Sequence, residues 1–200
     1  MTGDSFLQDQ RDFNRRLVAM LERLGIEYAI GGSMAAMIYS ETRSTKDIDM
    51  MLRVDMQLLE LVVTEIESWQ IYVDPLDTII EFNMPGRLPI NVVDGMSGMK
   101  ADLYVAELSG LDESAMSRKR RMPLYTNPYV EAWFLAPENV ILYKLDYFKQ
   151  SEGVSQKHPI DISKMLTVIG EQLDLPYLEA WARATGVSEL WLALWDEFKK

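Results

Sequence analysis

Asp47 and Asp49 flank Ile48, and on a strand a period of two puts both carboxylates on one face, about 7 Å apart along the chain. Two acids so placed can grip one metal ion or two. A half-exposed strand with an acidic polar face would carry the same pair. Against that reading, Met50, Met51 and Leu52 follow directly and are all apolar, so the strand reads as buried on both faces beyond Asp49. Desolvating an unpaired carboxylate is very costly, and the pair is therefore expected at a strand end that opens to a cleft. Upstream, Gly31-Gly32-Ser33 stands before a helical pattern, where absent side chains let the backbone approach a phosphate and the helix start offers amide donors. Ser33 adds a hydroxyl. A Gly-Gly pair alone is often only a turn; its weight comes from the aspartates a fixed distance downstream, because a helix and a short loop would return the chain to the same cleft.

The elements that must hold these residues follow from periodicity. Phe6, Leu7, Phe13, Leu17, Met20, Leu21 and Leu24 recur at spacings near three and four, which predicts an amphipathic helix ended by Gly25. A short apolar strand over 26–30, the glycine turn, a helix over 34–39 and a strand over 47–52 come next. Asp55 is placed to cap a helix running to Trp69. Short strands are expected over 71–73, 78–82, 88–93 and 100–105, separated by Pro75, Pro85-Gly86 and the glycines at 95 and 98, and a further strand over 129–134. After Pro137 the pattern is helical throughout, with helices expected over 137–150, 158–170, 174–185 and 187–198. The expected fold class is α+β: a mixed β-sheet flanked by helices over residues 1–135, followed by a C-terminal helical domain over 136–200.

The stretch GGSMAAMIYSETRSTKDIDMML, that is Gly32-Ser33, thirteen residues, then Asp47-Ile48-Asp49, resembles the signature of the DNA polymerase beta-like nucleotidyltransferase superfamily. It looks most like the small prokaryotic branch that includes toxins of toxin-antitoxin and abortive-infection systems, where Arg-x-Thr precedes the aspartates as Arg43-Ser44-Thr45 does here. The resemblance implies the nucleotidyltransferase fold, with Asp47 and Asp49 binding Mg2+ (or Mn2+) and Gly31, Gly32 and Ser33 cradling the triphosphate of an NTP substrate. It also implies a third carboxylate from a neighbouring strand, at Asp102 in Lys100-Ala101-Asp102-Leu103-Tyr104-Val105. Alternation puts Asp102 with Lys100 and Tyr104 on one face and the apolar residues on the other, and two strand-borne acids alone give too few oxygens for a pair of magnesium ions. The alternative for Asp102 is a surface aspartate paired with Lys100. The run from Ala136 to Leu145 resembles the branch's next helix, with Asn139 in place of an acidic residue, and Asp161 matches a common aspartate in the helix after it. Ser40 departs from the pattern where a glycine is usual.

Two further residues join the candidates for nucleotide binding. Arg43 can contact a phosphate or pair with an acid such as Asp47; Lys144, on an apolar helix, can snorkel to the surface or reach a triphosphate. The implied activity is a metal-dependent transfer of a nucleoside monophosphate from an NTP to a hydroxyl on a protein, an RNA or a small molecule, with a non-catalytic nucleotide-binding or partner-binding module as the alternative. Partners implied are the nucleoside triphosphate and a cognate antitoxin or other protein.

Bulk properties narrow the rest. There are 200 residues and no cysteine, which excludes a disulfide framework, a thiolate metal site and a cysteine nucleophile. His158 is the only histidine; it reads as a loop or helix-start residue, with no partner for a histidine zinc site. A net charge of −11 disfavours general nucleic-acid binding; the basic run Arg118-Lys119-Arg120-Arg121 keeps tRNA open but reads first as a solvated face or a helix end. The polar, mixed-charge N-terminus does not read as a signal peptide, and no apolar run is long enough for a bilayer. The expectation is a cytoplasmic protein with no membrane partner.

Overall fold

Phe13, Leu17, Met20 and Leu21 are all buried, and their three- and four-residue spacing makes α1 (Gly3–Arg23) amphipathic. The helix ends as expected at Gly25. Its φ of +67° lets the Ile26 N–H donate to the Leu21 carbonyl at 2.9 Å, closing the last turn in a left-handed cap that glycine adopts without cost. The computed structural model describes residues 3–40, 45–85 and 88–199. These form two compact units, Met1–Ile30 with Thr45–Phe134, and Gly31–Ser44 with Leu135–Lys200.

The first unit holds all seven described strands: β1 (Glu27–Ile30), β2 (Asp47–Arg53), β3 (Tyr72–Val73), β4 (Ile90–Val93), β5 (Lys100–Val105), β6 (Arg120–Thr126) and β7 (Tyr129–Phe134). They make one sheet in the order β3-β4-β5-β2-β1-β7-β6. The sheet is mixed, with β2 and β5 parallel and β1 and β7 parallel, while the other neighbours run antiparallel. β2 lies at its centre. Ile48, Met50, Met51 and Leu52 are buried there, Asp47 is exposed and Asp49 half-buried, so the burial follows the apolar run and the acids lie at the start of the strand.

Asp55 caps α3 (Met56–Glu67) by accepting from the Leu58 N–H at 2.8 Å. The strand expected over 78–82 is instead a helix, α4 (Pro75–Asn83). Asp74 caps it, accepting from the Leu76 and Asp77 amides, and Pro75 opens its first turn. Its buried residue is Glu81, whose carboxylate accepts from the Val105 N–H at 2.9 Å and the Leu88 N–H at 3.1 Å. That carboxylate gives the buried Val105 amide an acceptor and ties the half-buried Leu88 amide to the same group. The polar stretch before 129 contains two more unexpected elements, α5 (Gly110–Ser117) and β6. The basic run falls at their junction. Arg118 caps α5, Lys119 pairs with Glu27, and Arg121 pairs with Glu22 and Glu131 at 3.1 and 3.2 Å. Much of its charge is thus spent on neighbouring acids, as a structural reading of that run requires.

The second unit is helical: α2 (Gly32–Ile38), α6 (Pro137–Gln150), α7 (Lys157–Ile169) with a 3-10 turn at Gly170–Gln172, α8 (Leu175–Ala184) and α9 (Ser188–Phe198). α2 packs against α6 and α7, and its buried residues are Met34, Ala35 and Ala36. Buried polar groups tie the bundle together. Glu138 accepts from the Asp174 N–H at 2.9 Å, Asn139 donates to the Tyr177 hydroxyl at 2.8 Å, and Tyr39 donates to the Leu135 carbonyl at 2.9 Å. Ser40 is absorbed by a back-bond from its hydroxyl to the Ala36 carbonyl at 2.7 Å. His158 is the second residue of α7, stacked on Tyr147. Among the described residues no helix is long and apolar enough to cross a membrane.

Candidate functional site

β2 and β5 are hydrogen-bonded neighbours, and their register sets Asp47 opposite Lys100 and Asp49 opposite Asp102. Cross-strand partners point to the same side of a sheet, so the three aspartates share one face. β5 alternates as the sequence suggests, with Ala101, Leu103 and Val105 buried and Lys100, Asp102 and Tyr104 half-buried. On its other flank Asp102 faces Asn91 of β4, whose amide donates to Asp77 at 2.7 Å. The pairing of Asp102 with Lys100 is present as well. The ammonium donates to Oδ2 at 3.2 Å and lies 2.9 Å from Oδ1, but off the line of a hydrogen bond. Oδ1 is buried with an ionic neighbour and no hydrogen-bond donor.

Partial burial works against the charge on Lys100. Its bond to Asp102 and the charges of Asp102, Asp47 and Asp49 outweigh burial and hold the ammonium above the ordinary lysine value. Carboxylate oxygens on one sheet face, one of them buried and lacking a donor, are the donor set a hard divalent cation takes. As they stand, no three acidic, histidine or cysteine side chains among the described residues are close enough to hold a metal ion, and Lys100 is a cation that does lie against Asp102.

Thr45 and Gln10, which sequence reasoning passed over as site residues, fix the entry to β2. The Asp47 N–H donates to the Thr45 hydroxyl at 3.3 Å, and the Thr45 carbonyl accepts from the Gln10 amide. Thr45 carried a signal as the last residue of the Arg-x-Thr pattern; Gln10 carried none. Arg43 and Ser44 lie outside the described residues.

Gly31, Gly32 and Ser33 belong to the second unit. Gly31 is the N-cap of α2 and makes no side-chain cap bond, and a Cβ on it would meet Leu135 at 3.1 Å. Gly32 has φ +56°. A branched residue is strained there, so Gly32→Val is expected to lose about 1–3 kcal/mol of stability as well as any phosphate contact. Urea unfolding measures the loss, and an unchanged midpoint would contradict this backbone assignment. Ser33, half-buried on the same turn, is the cleaner probe. Lys144 is also in this unit, where its ammonium donates to Asp161 at 2.8 Å with both side chains at most 4% exposed. A cavity of about 590 Å³ among Phe148, Lys149, Gly186 and Glu189 includes none of the candidate residues.

No family model matches the sequence, and neither does any curated protein. Solved structures do. The antibiotic-resistance factor ANT(2'')-Ia aligns with a TM-score of 0.61 at 17% identity, over 88% of this chain and 92% of its own. A second structure of it, in complex with adenylyl-2''-tobramycin, gives 0.61 at 14% identity over 88% and 97%. An antigenic nucleotidyltransferase-like protein from Paracoccidioides brasiliensis aligns at 0.52 and 19% identity over 82% and 76%. The lincosamide antibiotic adenylyltransferase LnuA, bound to lincomycin, does so at 0.52 and 14% over 76% and 94%. At such identities the likeness is one of fold.

Proposed function

The chain has the nucleotidyltransferase fold, and from that premise we propose that it moves a nucleoside monophosphate from a nucleoside triphosphate to a hydroxyl acceptor. The observation that carries this reading is the register of Asp49 with Asp102 on neighbouring parallel strands, which puts the third carboxylate beside the first two on one sheet face. Asp47, Asp49 and Asp102 are the residues that would hold Mg2+ or Mn2+. Bound there, the cation would neutralise phosphate charge and polarise the α-phosphoryl group. Gly31, Gly32 and Ser33 offer backbone and hydroxyl donors to the triphosphate. The acceptor oxygen bonds to the α-phosphorus as the bond to pyrophosphate breaks, and Asp102 takes the hydroxyl proton.

A small polyhydroxylated molecule is the acceptor the observations favour. The similar folds include a protein in complex with adenylyl-2''-tobramycin and a lincosamide antibiotic adenylyltransferase bound to lincomycin. The net charge of −11 suits a neutral or cationic acceptor over a nucleic acid. A protein hydroxyl, as in a cognate antitoxin, is the second acceptor compatible with that charge.

Triphosphate and three carboxylates repel until a cation lies between them. Nucleoside triphosphate is therefore expected to bind in calorimetry with Mg2+ or Mn2+ and to show at least about a hundredfold weaker affinity in chelator, the loss that removing several kcal/mol of charge neutralisation implies. Equal affinity in the two conditions would remove the metal from the reading. Pyrophosphate release on adding an acceptor separates an enzyme from a binding module, which would bind nucleotide and release none.

A further inference from the structure

We propose that Lys100 is a built-in counter-cation that holds Asp102 in the metal-free chain and competes with the divalent ion for it, so that metal is admitted efficiently only together with nucleotide. The inference rests on the reading of Asp47, Asp49 and Asp102 as the metal carboxylates. Its basis is the square of side chains that the β2–β5 register creates: Asp47 opposite Lys100 and Asp49 opposite Asp102, all on one face of the sheet. Three carboxylates so arranged repel one another. The ammonium, 2.9 and 3.2 Å from the two Asp102 oxygens, offsets part of that repulsion.

A divalent ion needs carboxylate oxygens much closer, at about 2.0–2.1 Å for Mg2+. A carboxylate has lone pairs enough for more than one partner, but the ammonium against the same two oxygens repels a second cation at close range. Loading is therefore favoured when Lys100 swings away. Its side chain is about one-third exposed, and a flexible four-carbon stem gives the ammonium a route to solvent or to another anion. A triphosphate supplies such an anion. In its presence the displaced ammonium gains a phosphate partner, and the exchange at Asp102 becomes favourable. Without nucleotide, the metal must break the ion pair and sit near an unpaired cation.

The test is Mn2+ binding without nucleotide, followed by the electron paramagnetic resonance of free Mn2+, in the wild type, Lys100→Met and Lys100→Arg. Lys100→Met is expected to bind Mn2+ about tenfold tighter than the wild type, from the lost ion pair and the lost repulsion, and Lys100→Arg to stay weak. Thermal melting supplies a second readout on the same proteins: Lys100→Met melts below the wild type in chelator and gains more from Mn2+. A purely structural lysine would lower the melting point without changing Mn2+ affinity. Equal affinity in wild type and Lys100→Met overturns the inference and leaves the aspartate site standing. No Mn2+ bound by any of the three overturns the site itself.

Discussion

Asp102→Asn is expected to reduce nucleotidyl transfer by at least about a hundredfold while leaving the fold intact. The side chain is 15% exposed on the polar face of β5, and asparagine keeps its shape, so the apolar face that packs through Ala101, Leu103 and Val105 is untouched. What changes is chemical. In the proposed site, the amide would supply no second anionic oxygen, would neutralise less charge on a cation held with Asp49, and could not take a proton. Electrostatic stabilisation of a transferring phosphoryl group is worth several kcal/mol, and each 1.36 kcal/mol is tenfold in rate. Pyrophosphate release measured beside circular dichroism decides the matter; full activity in a folded variant removes Asp102 from the mechanism.

Lys144→Met is expected to act on stability. Lys144 and Asp161 form an ion pair buried between α6 and α7, and removing one partner leaves the other as an uncompensated buried charge. Breaking such pairs costs about 3–5 kcal/mol, which for a chain of this size lowers the melting temperature by roughly 6–20 °C. Replacing both, Lys144→Met with Asp161→Leu, is expected to recover most of that loss, since an apolar pair of similar volume avoids the desolvation penalty. A single variant that melts like the wild type but loses nucleotide affinity would assign Lys144 to the triphosphate instead.

Most elements were legible because their apolar residues face the core. The alternation in β5 and the run after Asp49 in β2 both match the observed burial; in the C-terminal helices the apolar pattern is a looser guide, since Leu178 and Trp195 are buried while Leu192 and Phe198 are exposed. α4 was misread because burial there runs against polarity. Leu76 and Ile79 are 64% and 56% exposed while Glu81 is fully buried, so neither helical nor strand periodicity identifies its inner face. β6 escaped because its residues are mostly exposed or half-buried, leaving little apolar pattern. Among the candidate site residues, Asp47 and Asp49 stood out by their spacing, and Asp102 through the resemblance and the alternation of its strand. The pairing of Lys100 with Asp102 was legible within β5, but the register that sets Asp47 opposite Lys100 and Asp49 opposite Asp102 was not, because register between strands more than fifty residues apart depends on pairing that no local pattern encodes. Gln10 is invisible for the same reason, since its partner Thr45 is 35 residues away.

The second unit takes its α2 from the first quarter of the sequence and its other helices from the last third. Protein dissection meets that arrangement directly. A polypeptide stopped at residue 134 would retain every described strand yet strip α2 of α6 and α7, the helices it packs against. Such a fragment carries an orphaned apolar helix between β1 and β2 and would tend to self-associate. Circular permutation is the gentler route to separating the units, because it can rejoin 31–44 to the helices it packs with before any cut is made.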